Sequence, residues 1–124
     1  MTEHEIQSAF VDLIEKHNPH LRLCATVGGA RMSIVEAKKI KRQGYRKGIP
    51  DLMIYEPRAG YYGLFIEIKK KGGHLSPHQR EWLDDLQKRG YRAVVCKGLD
   101  QCINEFNHYF NHDHNVTMLY QEAM

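Results

Sequence analysis

Gly48-Ile49-Pro50-Asp51-Leu52-Met53-Ile54-Tyr55, and after a short gap Gly63-Leu64-Phe65-Ile66-Glu67-Ile68-Lys69, is the stretch that decides how this chain folds. Asp51–Tyr55 and Leu64–Lys69 have strand composition, and Pro57, Gly60 and Gly63 between them mark a loop short enough for an antiparallel hairpin. Strand side chains alternate faces, so Glu67 and Lys69 share one face while Ile66 and Ile68 take the other. If the hairpin pairs as its turn predicts, Asp51 lies at the same end of the sheet as Glu67. Two carboxylates brought together raise each other's cost of ionisation. A hard divalent cation relieves that conflict, and an oxygen ligand set with few protein contacts favours magnesium or manganese. Lys69 beside them is placed to orient and acidify an attacking water, the set of groups that phosphodiester hydrolysis needs. Taken alone, a Glu-x-Lys alternation is more simply what a half-exposed strand shows, with its charges facing water. The proline before Asp51, the apolar flanks and the order of the two pieces on adjacent strands favour the site.

Outward from the hairpin, the chain reads as alternating elements. Thr2 to about His17 predicts an amphipathic helix, with Ile6, Phe10, Leu13 and Ile14 at helical spacing and Thr2 with Glu5 as a capping box. Asn18-Pro19 stops it. Leu21–Val27 predicts a strand ending at Gly28-Gly29, and Ser33 caps a helix to about Gln43, closed by Gly44. After the hairpin, Ser76-Pro77 starts a helix through about Arg89, with Trp82, Leu83 and Leu86 on one side and Trp82 as its core anchor. Tyr91–Cys96 is a compact apolar strand, and Leu99–Phe110 a last helix burying Cys102, Ile103 and Phe106. The order α-β-α-β-β-α-β-α predicts an α/β fold, a mixed sheet flanked by helices. One domain is expected over residues 1–110. Residues 111–124 are then a polar tail, either disordered or an arm that orders on a partner.

At 124 residues, 42% hydrophobic and 27% charged, the chain has the size and composition of one globular domain. No apolar run approaches the roughly 20 residues of a membrane span, so no membrane association is expected. The acidic Met-Thr-Glu-His-Glu start is unlike a secretory signal. Cys24, Cys96 and Cys102 are widely spaced, without a Cys-x-x-Cys pair. They read as core residues of a protein in a reducing cytoplasm. His108 and His112 have metal spacing with His114 nearby, but lack a cysteine or a rigid scaffold and are not taken as a zinc site. The net charge of +3 is modest, yet Lys38, Lys39, Lys41, Arg42, Arg46 and Lys47 fall within ten residues that include no acid, and Lys69-Lys70-Lys71 adds a second cluster. Such blocks read as contacts for a polyanion or as solvated helix faces.

Ile49-Pro50-Asp51 followed by Glu67-Ile68-Lys69 resembles the signature of the PD-(D/E)XK nuclease superfamily. Further motifs narrow the resemblance: Thr2-Glu3-His4 with Gln7, Gly28-Gly29-x-Arg31, Lys47 to Leu52, Gly63 to Lys69, Leu75-Ser76-Pro77-x-Gln79, and Gly90-Tyr91-Arg92-Ala93-Val94-Val95-Cys96-x-Gly98. Together they are similar to the virus-type replication-repair nuclease (VRR-NUC) domain, in order and from Thr2 to Phe110. The resemblance implies a restriction-endonuclease-like core and an endonuclease that hydrolyses DNA with Mg2+ or Mn2+. Asp51 and Glu67 would hold the metal with the backbone carbonyl of Ile68, Lys69 would be the catalytic lysine, and Gln79 would position a water or the scissile phosphate. Small free-standing members are associated with branched DNA, Holliday junctions in particular, and with roles in repair and recombination. A symmetric junction calls for two active sites and so for a homodimer. A nicking or flap/fork endonuclease and a non-catalytic DNA-binding module are the rival readings.

In the first helix, Glu3 projects into the sector of Ile6, Phe10 and Leu13, whereas Glu5 lies away from it and serves the cap. A carboxylate on the buried side needs a partner, which makes Glu3 a candidate for a second metal or water contact. Gly28-Gly29 would let backbone approach a phosphate, with Arg31 as the ionic contact. Val27 stands where the family often has asparagine. Lys38, Lys39, Lys41, Arg42, Arg46, Lys47, Lys70 and Lys71 are the expected DNA contacts, binding by counterion release. Tyr45 either stacks on a base or packs.

Overall fold

A computed structural model describes residues 1–26 and 33–121. The elements follow the expected order: α1 (Glu3–His17), β1 (Leu23–Ala25), α2 (Ile34–Arg42), β2 (Leu52–Ile54), β3 (Leu64–Lys69), α3 (Pro77–Lys88), β4 (Arg92–Lys97) and α4 (Leu99–Tyr109). The sheet runs β1-β2-β3-β4. β1/β2 and β2/β3 pair antiparallel, and β3/β4 pair parallel through the α3 crossover, so the sheet is mixed as the sequence predicts. The β2–β3 hairpin closes at Arg58-Ala59-Gly60-Tyr61, where both central residues have positive φ (50° and 84°). That geometry matches the right-handed twist of the strands it joins.

Alternation along β3 sorts its side chains onto two cores. Leu64, Ile66 and Ile68 join Phe10, Ile14, Phe106 and Phe110 in the larger core, beneath α1 and α4. Phe65 faces the other way and packs with Leu83, Leu86 and Ala93 under α3. Glu67 and Lys69 stand on this second face, because they lie two and four residues beyond Phe65. The three capping signals read from the sequence all form, with Thr2, Ser33 and Ser76 each accepting from a backbone N–H in the first turn of their helix.

The structure departs from expectation in several places. Residues 111–121 neither hang free nor await a partner: they are fastened to the domain. Val116 and Leu119 are buried in the larger core. The Asn18 amide donates to Thr117 O (2.8 Å) and accepts from Thr117 N (2.7 Å). Asn107 makes the same paired contact with Leu119, at 2.7 Å each way. Two asparagine side chains thus stand in for a neighbouring strand, which satisfies tail backbone that would otherwise oppose docking. Asp113 adds a 2.6 Å ion pair with Arg58. A break in apolar patterning at residue 111 therefore does not end the packed unit.

Two core assignments also change. Cys96 and Cys102 are buried, and the Cys96 thiol is pushed far up by its contact with Cys102 and by burial. Cys24 is exposed instead, because β1 is an edge strand with little covering it. Trp82 is only half-buried: it packs against the edge of the core under α3 and donates its indole N–H to Lys47 O at 3.1 Å, so it braces a loop as well as lining that core.

Candidate functional site

Continuing the β2–β3 register by one residue past Leu52↔Ile66 sets Asp51 opposite Glu67. Asp51 lies just outside β2, where the strand enters from Pro50. Its side chain turns across the end of the ladder, and Oδ2 accepts from the Ile68 N–H at 2.7 Å. A strand residue sends its N–H and C=O to the same side. The Ile68 carbonyl therefore faces the β2 side too, beyond Leu52, where paired strand has ended. Lys69 O points the opposite way, accepting from Gly98 N at 2.9 Å. The Asp51 and Glu67 carboxylates and the Ile68 carbonyl thus belong to one end of the hairpin.

A cavity of about 240 Å³ opens there, lined by Glu3, Tyr45, Lys47, Asp51, Glu67, Lys69, Ser76 and Gln79, with Gly48 at its edge. Every residue named from the sequence as a catalytic candidate borders this cavity, although they come from α1, the β2–β3 hairpin and α3. Glu3 is half-buried, and its Oε2 accepts from Lys70 N at 3.3 Å, which ties the start of α1 to the end of β3. Glu5 is occupied in the capping box with Thr2.

Glu67 is 2% exposed. Burial pushes its carboxyl up to about 9, reinforced by its hydrogen bond to Asp51 and by the Asp51 charge; Lys69 offsets part of this, and Glu3 adds to it. At neutral pH without a cation, Glu67 therefore keeps its proton and shares it with Asp51. The buried, protonated Glu67 carboxyl beside the half-buried Asp51 carboxyl, with a backbone carbonyl nearby, is an all-oxygen donor set in which a hard divalent cation can replace the Glu67 proton. The residues present fit such an ion. Among the described residues no three His, Cys, Asp or Glu side chains form a complete cage.

Gln79 plays two parts, of which the sequence reading names only the contact with water or phosphate. Its Oε1 accepts from Ser76 N at 2.8 Å, completing the α3 capping box. This leaves Nε2 as the group it can offer the cavity, a donor suited to a phosphate oxygen. The Ser76-Pro77-x-Gln79 spacing carried both signals. Ser76 itself escaped sequence reasoning as a cavity residue, as did Gly48. At φ +94°, Gly48 packs so closely that a Cβ would lie 2.7 Å from the His78 backbone. Only glycine lets the 44–48 loop approach α3 this far, which brings Lys47 and Asp51 to the site.

The basic candidates divide. Lys38, Lys39, Lys41 and Arg42 are exposed on α2, a helix that buries none of its own residues. Lys47 reaches the cavity wall. Arg46 donates to Lys41 O and Tyr45 O (2.8 and 2.9 Å), so it clasps the end of α2. Lys70 is exposed, and Lys71 pairs loosely with Asp100 at 3.9 Å. Gly28, Gly29 and Arg31 lie outside the described residues. No described helix is long and apolar enough to cross a membrane.

Known proteins are similar to this chain in fold and in sequence. A solved structure described as a VRR-NUC domain protein superposes with a TM-score of 0.72 at 35% identity, covering 88% of each chain. A second VRR-NUC domain structure, at 22% identity and a TM-score of 0.58, shares the fold. Among curated proteins, Fanconi-associated nuclease 1 of Danio rerio is 36% identical over 75 residues, 60% of this chain and 8% of its own length. The Homo sapiens protein of that name is 37% identical over 51 residues, 41% of this chain and 5% of its own length. The matched segments are thus a small part of much longer relatives. The VRR-NUC domain model itself matches residues 1–100, which span α1 to the first turn of α4 and include every residue around the carboxylate cavity. The chain therefore belongs to the VRR-NUC domain family.

Proposed function

We propose that this protein is a DNA endonuclease that hydrolyses phosphodiester bonds with Mg2+ or Mn2+, selects branched DNA, and resolves Holliday junctions as a homodimer. The observation that carries the hydrolytic reading is the pairing of buried Glu67 with half-buried Asp51, opening with Lys69 into one cavity. Family membership and the likeness to proteins named as nucleases support it.

Asp51, Glu67 and the Ile68 carbonyl would hold the cation, with Glu67 releasing its proton on binding. When bound, such an ion supplies Lewis acidity and neutralises charge on the phosphoryl group. Lys69 directs its ammonium into the same space, where it holds the attacking water and a non-bridging oxygen in line. Gln79 Nε2 donates to the phosphate from the far wall. The first turn of α3 presents its N-terminal end to that anion. Glu3, held by Lys70 N, is placed to orient water on the opposite side. The basic face of α2 supplies phosphate contacts that do not depend on sequence.

Junction preference rests on the resemblance to small free-standing members of the family, and dimerisation follows from it by symmetry: a fourfold branch with paired cuts needs two such cavities related by a twofold axis. Purified protein with Mg2+ and a labelled four-way junction tests the reading, together with a mass measurement in solution. Paired symmetric cuts by a dimer are expected. Cuts confined to one arm of a fork, or a monomer that cleaves at full rate, overturn the junction assignment, and absence of cation-dependent cleavage on any DNA overturns the nuclease.

A further inference from the structure

A second, larger cavity of about 900 Å³ lies between α2, the loop that follows it and α3. It shares Tyr45 and Lys47 with the carboxylate cavity, so the two spaces meet along those residues. Its wall is aromatic: Tyr45 and Trp82 are both half-buried, and the indole is fixed by its bond to Lys47 O. Four cations, Lys41, Arg46, Lys47 and Arg89, border it against two acids, Glu81 and Asp85. A concave aromatic wall under a cationic rim suits a nucleotide, whose base stacks while its phosphate stays near the charges. Inside a duplex the faces of the bases are covered by their neighbours, so away from a duplex end only an unpaired base can offer its face to Trp82.

We propose that this groove is a subsite for an unpaired segment of the DNA strand, stacked against Trp82 and leading into the carboxylate cavity. The proposal deepens the nuclease reading and rests on it for the identity of the polymer. It gives a physical source for preferring branched or frayed DNA, because intact duplex leaves the groove empty.

Trp82 is the sole tryptophan of the chain, so its emission reports on the groove directly. The full chain is titrated in EDTA with oligo(dT), with a fork carrying an unpaired arm, and with blunt duplex, while anisotropy follows binding of the same DNAs. Oligo(dT) and the fork should quench the emission saturably, and the duplex should bind without quenching. Trp82→Leu should weaken oligo(dT) binding roughly tenfold, whereas Trp82→Phe should keep most of it. Both variants lack the bond to Lys47, so a loss confined to leucine reports the ring face rather than the position of the loop. Equal quenching by blunt duplex, saturable binding without quenching, or emission that changes with protein concentration alone (a second copy seated in the groove) overturns the proposal. Cleavage with Mg2+ in a protein that shows no quenching sinks the subsite and spares the nuclease. Quenching in a protein that cleaves no DNA sinks the nuclease and spares the subsite.

Discussion

Asp51 closes the end of the β2–β3 ladder by accepting from the Ile68 amide at 2.7 Å, and the same residue sits opposite Glu67 in register. One carboxylate is therefore both a clamp on the strand that carries Glu67 and Lys69 and half of the candidate metal site. The two roles separate by substitution. Asp51→Asn keeps an oxygen that can accept from Ile68 N but loses the charge, so thermal stability should change little while cleavage falls by at least a hundredfold. Asp51→Ala leaves the Ile68 N–H unpaired, which should cost about 1–3 kcal/mol as well. Thermal melts and single-turnover cleavage on the two variants check this.

The raised Glu67 carboxyl gives a pH dependence of definite sign in the metal-free protein. Its value in the folded protein is about 9, against 4.5 ordinarily. The folded state thus holds a proton that the unfolded chain has already lost. The stability this confers is fully present below pH 4.5 and is lost as pH rises toward about 9. Glu67→Gln removes the titration. In EDTA its melting temperature should overtake that of wild type by a few degrees as pH is raised through this window. A melting difference that stays flat with pH would contradict the buried, protonated carboxyl.

Gly48 fixes how near the 44–48 loop comes to α3. Gly48→Ala adds a Cβ 2.7 Å from the His78 backbone and forces a non-glycine residue to φ +94°. Backbone strain of this kind costs about 1–3 kcal/mol, and relief by moving the loop displaces Lys47 and Asp51. The variant should melt lower and cleave poorly, with no change in helix content by circular dichroism.

The docked tail makes a prediction far from the site. Asn18→Ala removes both bonds to Thr117, at a cost of about 1–3 kcal/mol. Leu119→Ala opens the larger core, at about 2–5 kcal/mol. Limited proteolysis should nick residues 111–121 first in the asparagine variant, and wild type should resist.

What the sequence disclosed and withheld follows physical lines. Alternation of side chains put Glu67 and Lys69 on one face without coordinates, and helical angles separated Glu3 from Glu5 at the start of α1. Capping chemistry placed the helix starts within a residue. These signals are local and periodic. The tail was opaque because Asn18 and Asn107 hold it through contacts 99 and 12 residues apart in the chain, with no pattern of their own. Trp82 was legible only in part, because a tryptophan on an apolar stripe looks the same whether it simply lines a core or also braces a loop. Cys24 misled, since strand composition does not tell a central strand from an edge.

Everything proposed here about catalysis depends on Asp51 and Glu67 acting as one cation site. The most direct measurement is the rate of DNA cleavage against Mg2+ or Mn2+ concentration for wild type, Asp51→Asn and Glu67→Gln, each first shown to be folded by its melt and to bind the same DNA in EDTA. Wild type should show a saturable cation requirement, and either variant should lose at least a hundredfold of that activity, at cation concentrations where DNA binding persists in all three. Cleavage by wild type in EDTA, or an unshifted cation curve in Glu67→Gln, would contradict it.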